Sequence, residues 1–295
     1  MRCNLCPRMC NVDRVNERGF CNAPDEMYIA KAYLHNWEEP CLSGDIGSGT
    51  IFFSYCNLKC IFCQNYDISI NNFGYKVSID RFADICIELQ EKGALNINLV
   101  TPTHYIDKIR DGLILAKERG LKIPIVYNSS GYERVESLKL LKGLIDIYLP
   151  DLKYYDNIYA NNYSKCNDYF KYANLAIEEM YRQVGKPVFD ENGIMKKGVI
   201  VRHLMLPGLY DDSKKIIEYL YDKYKDNIYL SIMNQYTPLR KIKYDNLNKK
   251  LEKEDYYKMI DFAYNLGVRN CFVQDDNTVD DSFIPLWDGS GIIDK

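Results

Sequence analysis

From about residue 49 onward, short apolar runs alternate with segments whose apolar positions recur every three to four residues. The runs 50–54, 96–100, 123–127, 145–149, 199–204 and 228–232 are rich in β-branched and aromatic residues and apolar at nearly every position. That is the pattern of parallel strands buried on both faces. Between them, Ile79, Phe82, Ile85 and Leu89 fall on one helical face, with Ser78 as a cap and Gly93 as a stop. Ile106, Ile109, Leu113 and Ala116 repeat this before Gly120, and Val135, Leu138 and Leu141 repeat it before Gly143. Ile216, Ile217 and Leu220 follow Ser213, and Tyr256, Ile260 and Ala263 lead to Gly267. A seventh short strand at 271–274 is a candidate to close the series. Tandem strand–helix units of this kind predict an α/β fold with a parallel sheet and crossover helices, a full or partial barrel. Residues 1–48 do not share the rhythm. They are expected to form a Cys-rich N-terminal extension, with the barrel over 49–240 and a C-terminal helix, strand and tail over 241–295 packed on it.

Charge narrows the partners. A formal net charge of -3, with both signs interspersed, gives no electrostatic case for nucleic acid. No apolar stretch approaches the roughly 20 residues needed to cross a bilayer, and no signal-peptide pattern opens the chain. A cytoplasmic protein with no membrane partner is the expectation.

The cysteines change the picture more. There are eleven, an odd number, and seven of them fall in two tight groups near the N-terminus, which points to metal rather than disulfides. Cys41, Cys86, Cys166 and Cys271 are scattered and read as small buried residues. One group is Cys56-Asn57-Leu58-Lys59-Cys60-Ile61-Phe62-Cys63, directly after the first predicted barrel strand, and strand C-termini carry the active sites of such barrels. Three thiolates on a four-iron cluster, which ordinarily takes four, would leave one iron open to a cofactor or substrate. A zinc knuckle completed elsewhere is the alternative, although His35 and His104 show no zinc spacing to this loop. The other group, Cys3-x2-Cys6-Pro7-Arg8-Met9-Cys10 with Cys21, offers four thiols, enough to close a structural or electron-relaying site for zinc or a second iron–sulfur cluster. That site is expected to be separable from the first, its loss leaving the catalytic loop intact.

The motif Cys-x3-Cys-x2-Cys, with aromatic Phe62 before the last cysteine, resembles the cluster loop of the radical S-adenosylmethionine (SAM) superfamily. The stretch 47–56 with Gln64-Asn65 resembles the branch similar to pyruvate formate-lyase activating enzymes. The resemblance implies a partial (β/α)6 barrel, a [4Fe–4S] cluster on Cys56, Cys60 and Cys63, and SAM chelated at the open iron. It also implies reductive cleavage of SAM, hydrogen abstraction by the resulting 5′-deoxyadenosyl radical, and a one-electron donor such as flavodoxin or ferredoxin. Phe62 is carried over as a cofactor-binding position. Asn128-Ser129-Ser130-Gly131 and Asp151-Leu152-Lys153 stand where the activating enzymes have Asp-Thr-Asn-Gly and Asp-Leu-Lys. This makes Asn128, Ser129, Asp151 and Lys153 candidate ligands of the methionine end of SAM. The bland alternative is a capped turn and a surface ion pair.

The Gly-Gly-Glu contact of most relatives is replaced by Thr101-Pro102-Thr103-His104, where Thr101 or Thr103 are substitutes and His104 suits a helix start. Arg202 or His203 reaching the barrel interior competes with a packed strand histidine. Gln235 and Tyr236 end the sixth strand, where a substrate would lie. Glu38 and Glu39 read as surface charge. The leading function is a radical SAM enzyme acting on an unidentified substrate, with a glycyl-radical protein as one candidate. Small-molecule or peptide modification, and a metal-binding regulator, are the rivals.

Overall fold

A computed structural model describes residues 2–274 and 285–293. The chain begins with the Cys-rich segment, then β1 (Met27–His35), α1 (Pro40–Ser43), β2 (Ser48–Phe53), α2 (Tyr66–Ser69) and β3 (Tyr75–Val77). Strand–helix units follow: α3 (Ile79–Glu91), β4 (Ile97–Val100), α4 (Ile106–Glu118), β5 (Ile125–Ser129), α5 (Val135–Lys139) and β6 (Ile147–Pro150). Next come α6 (Asn157–Ser164), α7 (Tyr169–Val184), β7 (Val188–Phe189), β8 (Met195–Leu204), α8 (Tyr210–Tyr224), β9 (Tyr229–Met233), α9 (Lys253–Leu266) and β10 (Cys271–Val273).

The sheet runs β10-β9-β8-β6-β5-β4-β2-β1-β3, with β7 paired to β8. The seven strands from β2 to β10 in this path are mutually parallel, whereas β1 is antiparallel to both β2 and β3. The result is an open, largely parallel α/β sheet of partial-barrel type. All seven predicted barrel strands are present within a few residues. β10 extends the open edge beside β9 among the described residues and does not close the barrel.

β1, α6 and α7 are the longest of the elements that lie outside the predicted pattern. β1 pairs with β2 from His35↔Ser48 to Ile29↔Phe53, so residue 48 falls at the end of a hairpin. α6 and α7 fill the long crossover from β6 to β8. The buried positions of α7, which include Ala173, Ala176, Ile177, Met180 and Val184, have helical spacing, but alanines make a weak stripe.

Strand alternation divides the buried residues among three clusters, the smallest being Ala30, Phe52 and Ile68. Ile51, Phe53, Leu99, Tyr127, Tyr148 and Val201 belong to the large core that also takes in the buried faces of the helices. Val126, Ile147, Leu149 and Ile200 instead form a smaller cluster with Cys41 and Leu42 of α1. Because His35 pairs with the first residue of β2, the segment 36–47 lies at the N-terminal end of the parallel strands, opposite the three-cysteine loop. Where it is described, the C-terminal tail touches β1 and β2: Trp287 meets Phe52 edge-on at 5.2 Å, and Ala32 N–H donates to Ser290 O. Residues 275–284 and 294–295 of that expected tail lie outside the described residues.

Candidate functional site

Cys56, Cys60 and Cys63 follow β2 in a loop whose shape is imposed by two non-glycine residues with left-handed backbone, Tyr55 (φ 70°) and Lys59 (φ 54°). Tyr55 N–H donates to Ile68 O (2.7 Å), Ile61 N–H to Tyr163 O (2.8 Å) and Cys63 N–H to Cys60 O (3.1 Å). Each sulfur accepts a hydrogen bond: Cys56 from Leu58 N–H (3.4 Å), Cys60 from Ser164 Oγ (3.0 Å) and Cys63 from Ser69 Oγ (3.3 Å). Donors of this kind stabilise charge on thiolate ligands and tune cluster potentials. Burial pushes the Cys60 thiol up to about 12, against the pull of Lys153. A metal bound here must therefore displace a proton.

The three thiols line one pocket of about 450 Å3 together with Phe62, Thr101, Asn128, Ser129, Asp151 and Lys153. Strand register explains the convergence. Phe52, Val100 and Asn128 are in register across β2, β4 and β5, and Asp151, Arg202 and Ser231 across the ends of β6, β8 and β9. Lys153 Nζ donates to Asp151 Oδ2 at 2.6 Å, and their side chains are only 17% and 20% exposed, so this is a pocket pair rather than a surface pair. Burial opposes the charge on Lys153, but Asp151 and Cys60 hold its ammonium well above the ordinary lysine value. Ser129 Oγ accepts from Gly131 N–H (3.2 Å), so it caps the turn while lining the pocket.

Thr101 also lines the pocket with φ 61°, a strained conformation for a β-branched residue, and its N–H donates to Asn128 O (2.9 Å). Thr103 does not join it: its hydroxyl donates to buried Glu133 (2.5 Å), whose carboxyl burial raises to about 7. His104 sits in a short 3-10 turn with Nε2 2.7 Å from Ser54 O, and burial lowers it to about 3. Arg202, Gln235 and Tyr236 line the pocket, whereas His203 is packed on the other face of β8 between Leu152 O (2.8 Å) and Ser213 Oγ (2.9 Å), where burial lowers it to about 4.

Glu38 and Glu39 correct the surface reading. Their side chains are 6% and 5% exposed, and both are paired with the Arg202 guanidinium. Asn98 Nδ2 donates to Glu38 (2.6 Å). Burial would raise the Glu39 carboxyl, but Arg202 holds it below the usual range. The pair is buried because its partner is supplied by β8, far along the chain.

Three residues that shape the site were not predicted. The Tyr169 hydroxyl on α7 lies 2.8 Å from Ser130 O and 3.0 Å from Asp151 O and accepts from Lys153 N–H (2.9 Å), tying the β5 and β6 loops together. Arg240 donates to Ile61 O (2.7 Å) and Cys63 O (3.4 Å). Arg8 donates to Asn57 O (3.0 Å) and Ser164 O (3.0 Å). Only the Tyr169 position carried a local signal, through the α7 periodicity.

Cys3, Cys6, Cys10 and Cys21 line one narrow cleft that also meets His104. Phe20 N–H donates to Cys10 Sγ (3.3 Å). All eleven cysteines are free; Cys41, Cys86 and Cys166 are buried and Cys271 half-buried. Among the described residues no three or more Cys, His, Asp or Glu side chains are arranged to hold a metal ion. A four-iron cluster places each thiol on a different iron, so its ligands need not converge on one point.

An open, largely parallel α/β barrel with thiols and a polar pocket at its strand C-termini has the layout of a barrel-type active site. The chain belongs to the radical SAM superfamily, which matches residues 50–233. Membership implies a [4Fe–4S] cluster and SAM. The chain is 35% identical over 279 residues to the uncharacterized protein MJ0674 of Methanocaldococcus jannaschii, covering 90% of this chain and 76% of that one. The fold is similar to that of Streptococcus suis SuiB bound to S-adenosylmethionine (TM-score 0.52, 16% identity, 76% of this chain), and this chain spans 49% of that structure. It is also similar to a radical SAM methyltransferase from Sphaerobacter thermophilus (TM-score 0.53, 14% identity, 77% of this chain and 66% of that one). No helix among the described residues is long and apolar enough to cross a membrane.

Proposed function

We propose that this chain is a radical SAM enzyme in which Cys56, Cys60 and Cys63 hold the [4Fe–4S] cluster and the adjoining pocket holds SAM. The observation that carries the reading is the convergence of these thiols with Asn128, Ser129, Asp151 and Lys153 on one pocket. Held by Cys56, Cys60 and Cys63 and reduced by one electron from the donor, a [4Fe–4S] cluster would supply reductive cleavage of SAM to methionine and a 5′-deoxyadenosyl radical able to take a hydrogen atom from substrate. The chain's own residues orient and shield. Lys153 presents a positive charge to a carboxylate, Asp151 and Asn128 offer hydrogen bonds, and Phe62, edge-on to Tyr236, gives the pocket an apolar wall. The donor is a reduced flavodoxin or ferredoxin, and the compartment is the cytoplasm, which keeps the eleven thiols reduced. Cys3, Cys6, Cys10 and Cys21, in the segment ahead of β1, are the ligands of a second metal site. An iron–sulfur cluster with one thiol per iron suits their placement better than a single zinc ion. β1 itself belongs to the main sheet rather than to a separate unit over residues 1–48.

The substrate is unidentified, and a glycyl-radical protein is one candidate, as the resemblance of the stretch 47–56 with Gln64-Asn65 to activating enzymes implies. The open edge of the sheet supports this, because a protein loop must reach the radical. Anaerobic reconstitution followed by assay for 5′-deoxyadenosine tests the enzyme reading, and absence of that product from cluster-loaded, reduced protein refutes it. Mixing the reduced enzyme and SAM with fractions of its own cell lysate tests the substrate. A glycyl-radical doublet in electron spin resonance supports activation. Product formed only with a low-molecular-weight fraction, without the doublet, assigns small-molecule or peptide chemistry instead.

A further inference from the structure

We infer that Arg8 is a positioning residue for the catalytic loop, and that metal at Cys3, Cys6, Cys10 and Cys21 locks it there. The N-terminal site thereby sets the order of Cys56, Cys60 and Cys63. This rests on reading those three thiols as the cluster ligands.

Arg8 lies within the turn from Cys6 to Cys10, which is closed by Met9 N–H donating to Cys6 O (3.0 Å) and needs a left-handed backbone at Met9 (φ 43°). From that turn the guanidinium leaves its own segment. It donates to Asn57 O, beside Cys56, and to Ser164 O and Lys165 O at the end of α6. The last carbonyls of a helix have no partner within it, and a cation there satisfies them and complements the helix dipole.

The end of α6 is itself the support of the catalytic loop. Tyr163 O accepts from Ile61 N–H (2.8 Å), and Ser164 Oγ donates to Cys60 Sγ (3.0 Å). Arg8 thus holds both sides of one joint, the loop at Asn57 and its support at Ser164. Its planar group is fixed over Phe20 at 3.7 Å, and Phe20 N–H donates to Cys10 Sγ at 3.3 Å. Tyr132 lies 5.3 Å from the guanidinium, and its carbonyl accepts from Asn57 Nδ2 (2.8 Å). Lys59 of the catalytic loop also sits 5.5 Å over Phe20. The two thiol groups are therefore joined through one ring and one guanidinium. A metal held by Cys3, Cys6, Cys10 and Cys21 would fix the turn that aims Arg8. Without it, the turn is free to move and the joint loosens. Under this coupling the two sites are not separable, in contrast to the expectation from the sequence.

Amide hydrogen exchange on the full chain, free of metal and then loaded, reads the joint directly. In Arg8→Ala the Ile61 and Cys63 amides should exchange at least tenfold faster than in the parent, with α3 amides unchanged as evidence of an intact fold. Arg8→Lys, which cannot span three carbonyls, should be intermediate. Parent-like exchange in Arg8→Ala overturns the positioning role. Zinc or iron–sulfide reconstitution of a Cys56/Cys60/Cys63→Ser protein, which confines metal to the N-terminal site, should slow Ile61 exchange. The same treatment should not do so when Cys6 and Cys10 are also Ser. Equal exchange with and without N-terminal metal overturns the locking role. A parent that never takes up a catalytic cluster refutes the proposed function instead, and the exchange arms still judge Arg8. In cluster-loaded protein, Arg8→Ala should also broaden the electron spin resonance spectrum of the reduced cluster, and an identical spectrum counts against the coupling.

Discussion

Replacing Arg202 with Met tests the buried charge cluster most sharply. The parent holds Glu38 and Glu39 against Arg202 with side-chain exposures of 6%, 5% and 14%. Methionine keeps the apolar stem but leaves two buried carboxylates without their cation, a loss of about 3–5 kcal/mol. With an unfolding entropy of about 2.1 cal/mol/K per residue, a 295-residue chain loses about 5–8 °C in Tm. The sign of the pH response is the stronger test. In the parent, Arg202 holds the Glu39 carboxyl low, so its contribution is present above the unfolded carboxylate value and lost only as pH falls through that range. In Arg202→Met, burial raises the carboxyls, and the folded state then prefers them protonated. The variant's deficit is therefore largest at high pH and shrinks on acidification. Scanning calorimetry of the metal-free chain from pH 8 to pH 5 should show the Tm gap narrowing, and adding Glu39→Gln should recover part of it. A gap that is absent, or that stays constant or widens towards pH 5, refutes the buried-pair reasoning.

Cys60→Ala should abolish 5′-deoxyadenosine formation, and a normal rate means Cys60 is not a cluster ligand. Lys153→Ala removes a charge-assisted contact worth about 1.5–3 kcal/mol, so SAM affinity of the cluster-loaded enzyme, measured by equilibrium dialysis, should fall about tenfold or more. An unchanged affinity makes the Asp151–Lys153 pair purely structural. At Gly131 (φ 75°) an added Cβ would lie 2.2 Å from Asp151 O, so Gly131→Ala should cost at least about 1 kcal/mol and weaken SAM binding by displacing the β6 loop. Parent-like Tm and affinity would contradict that crowding. A Cys6/Cys10 double Ala protein should contain less zinc or less iron than the parent by metal analysis; equal content means these thiols are free.

What the sequence determined by itself is whatever short-range chemistry fixes. Cysteine spacing is covalent, so Cys56, Cys60 and Cys63 were legible as one loop and Cys3, Cys6, Cys10 and Cys21 as one group. The parallel strands were legible because burial on both faces demands unbroken apolar runs. Strand ends follow from strands, which places Asn128, Ser129, Asp151 and Lys153 at the C-terminal side of the sheet, whereas their candidacy as SAM ligands comes from the resemblance to activating enzymes.

Tertiary structure alone decided how distant charges are satisfied. Glutamates are rarely buried without a partner, and for Glu38 and Glu39 that partner is Arg202, 163 residues or more away from them. Arg8 caps a helix end 156 residues distant, and Arg240 closes on a loop 179 residues before it. The inward turn of Arg202 and the outward turn of His203, adjacent on one strand, follow from alternation but depend on register. No periodicity encodes such pairings, because a hydrogen bond between distant segments leaves no repeat in either of them. The fold brings each cation to its acceptors, and only there do those residues join the site.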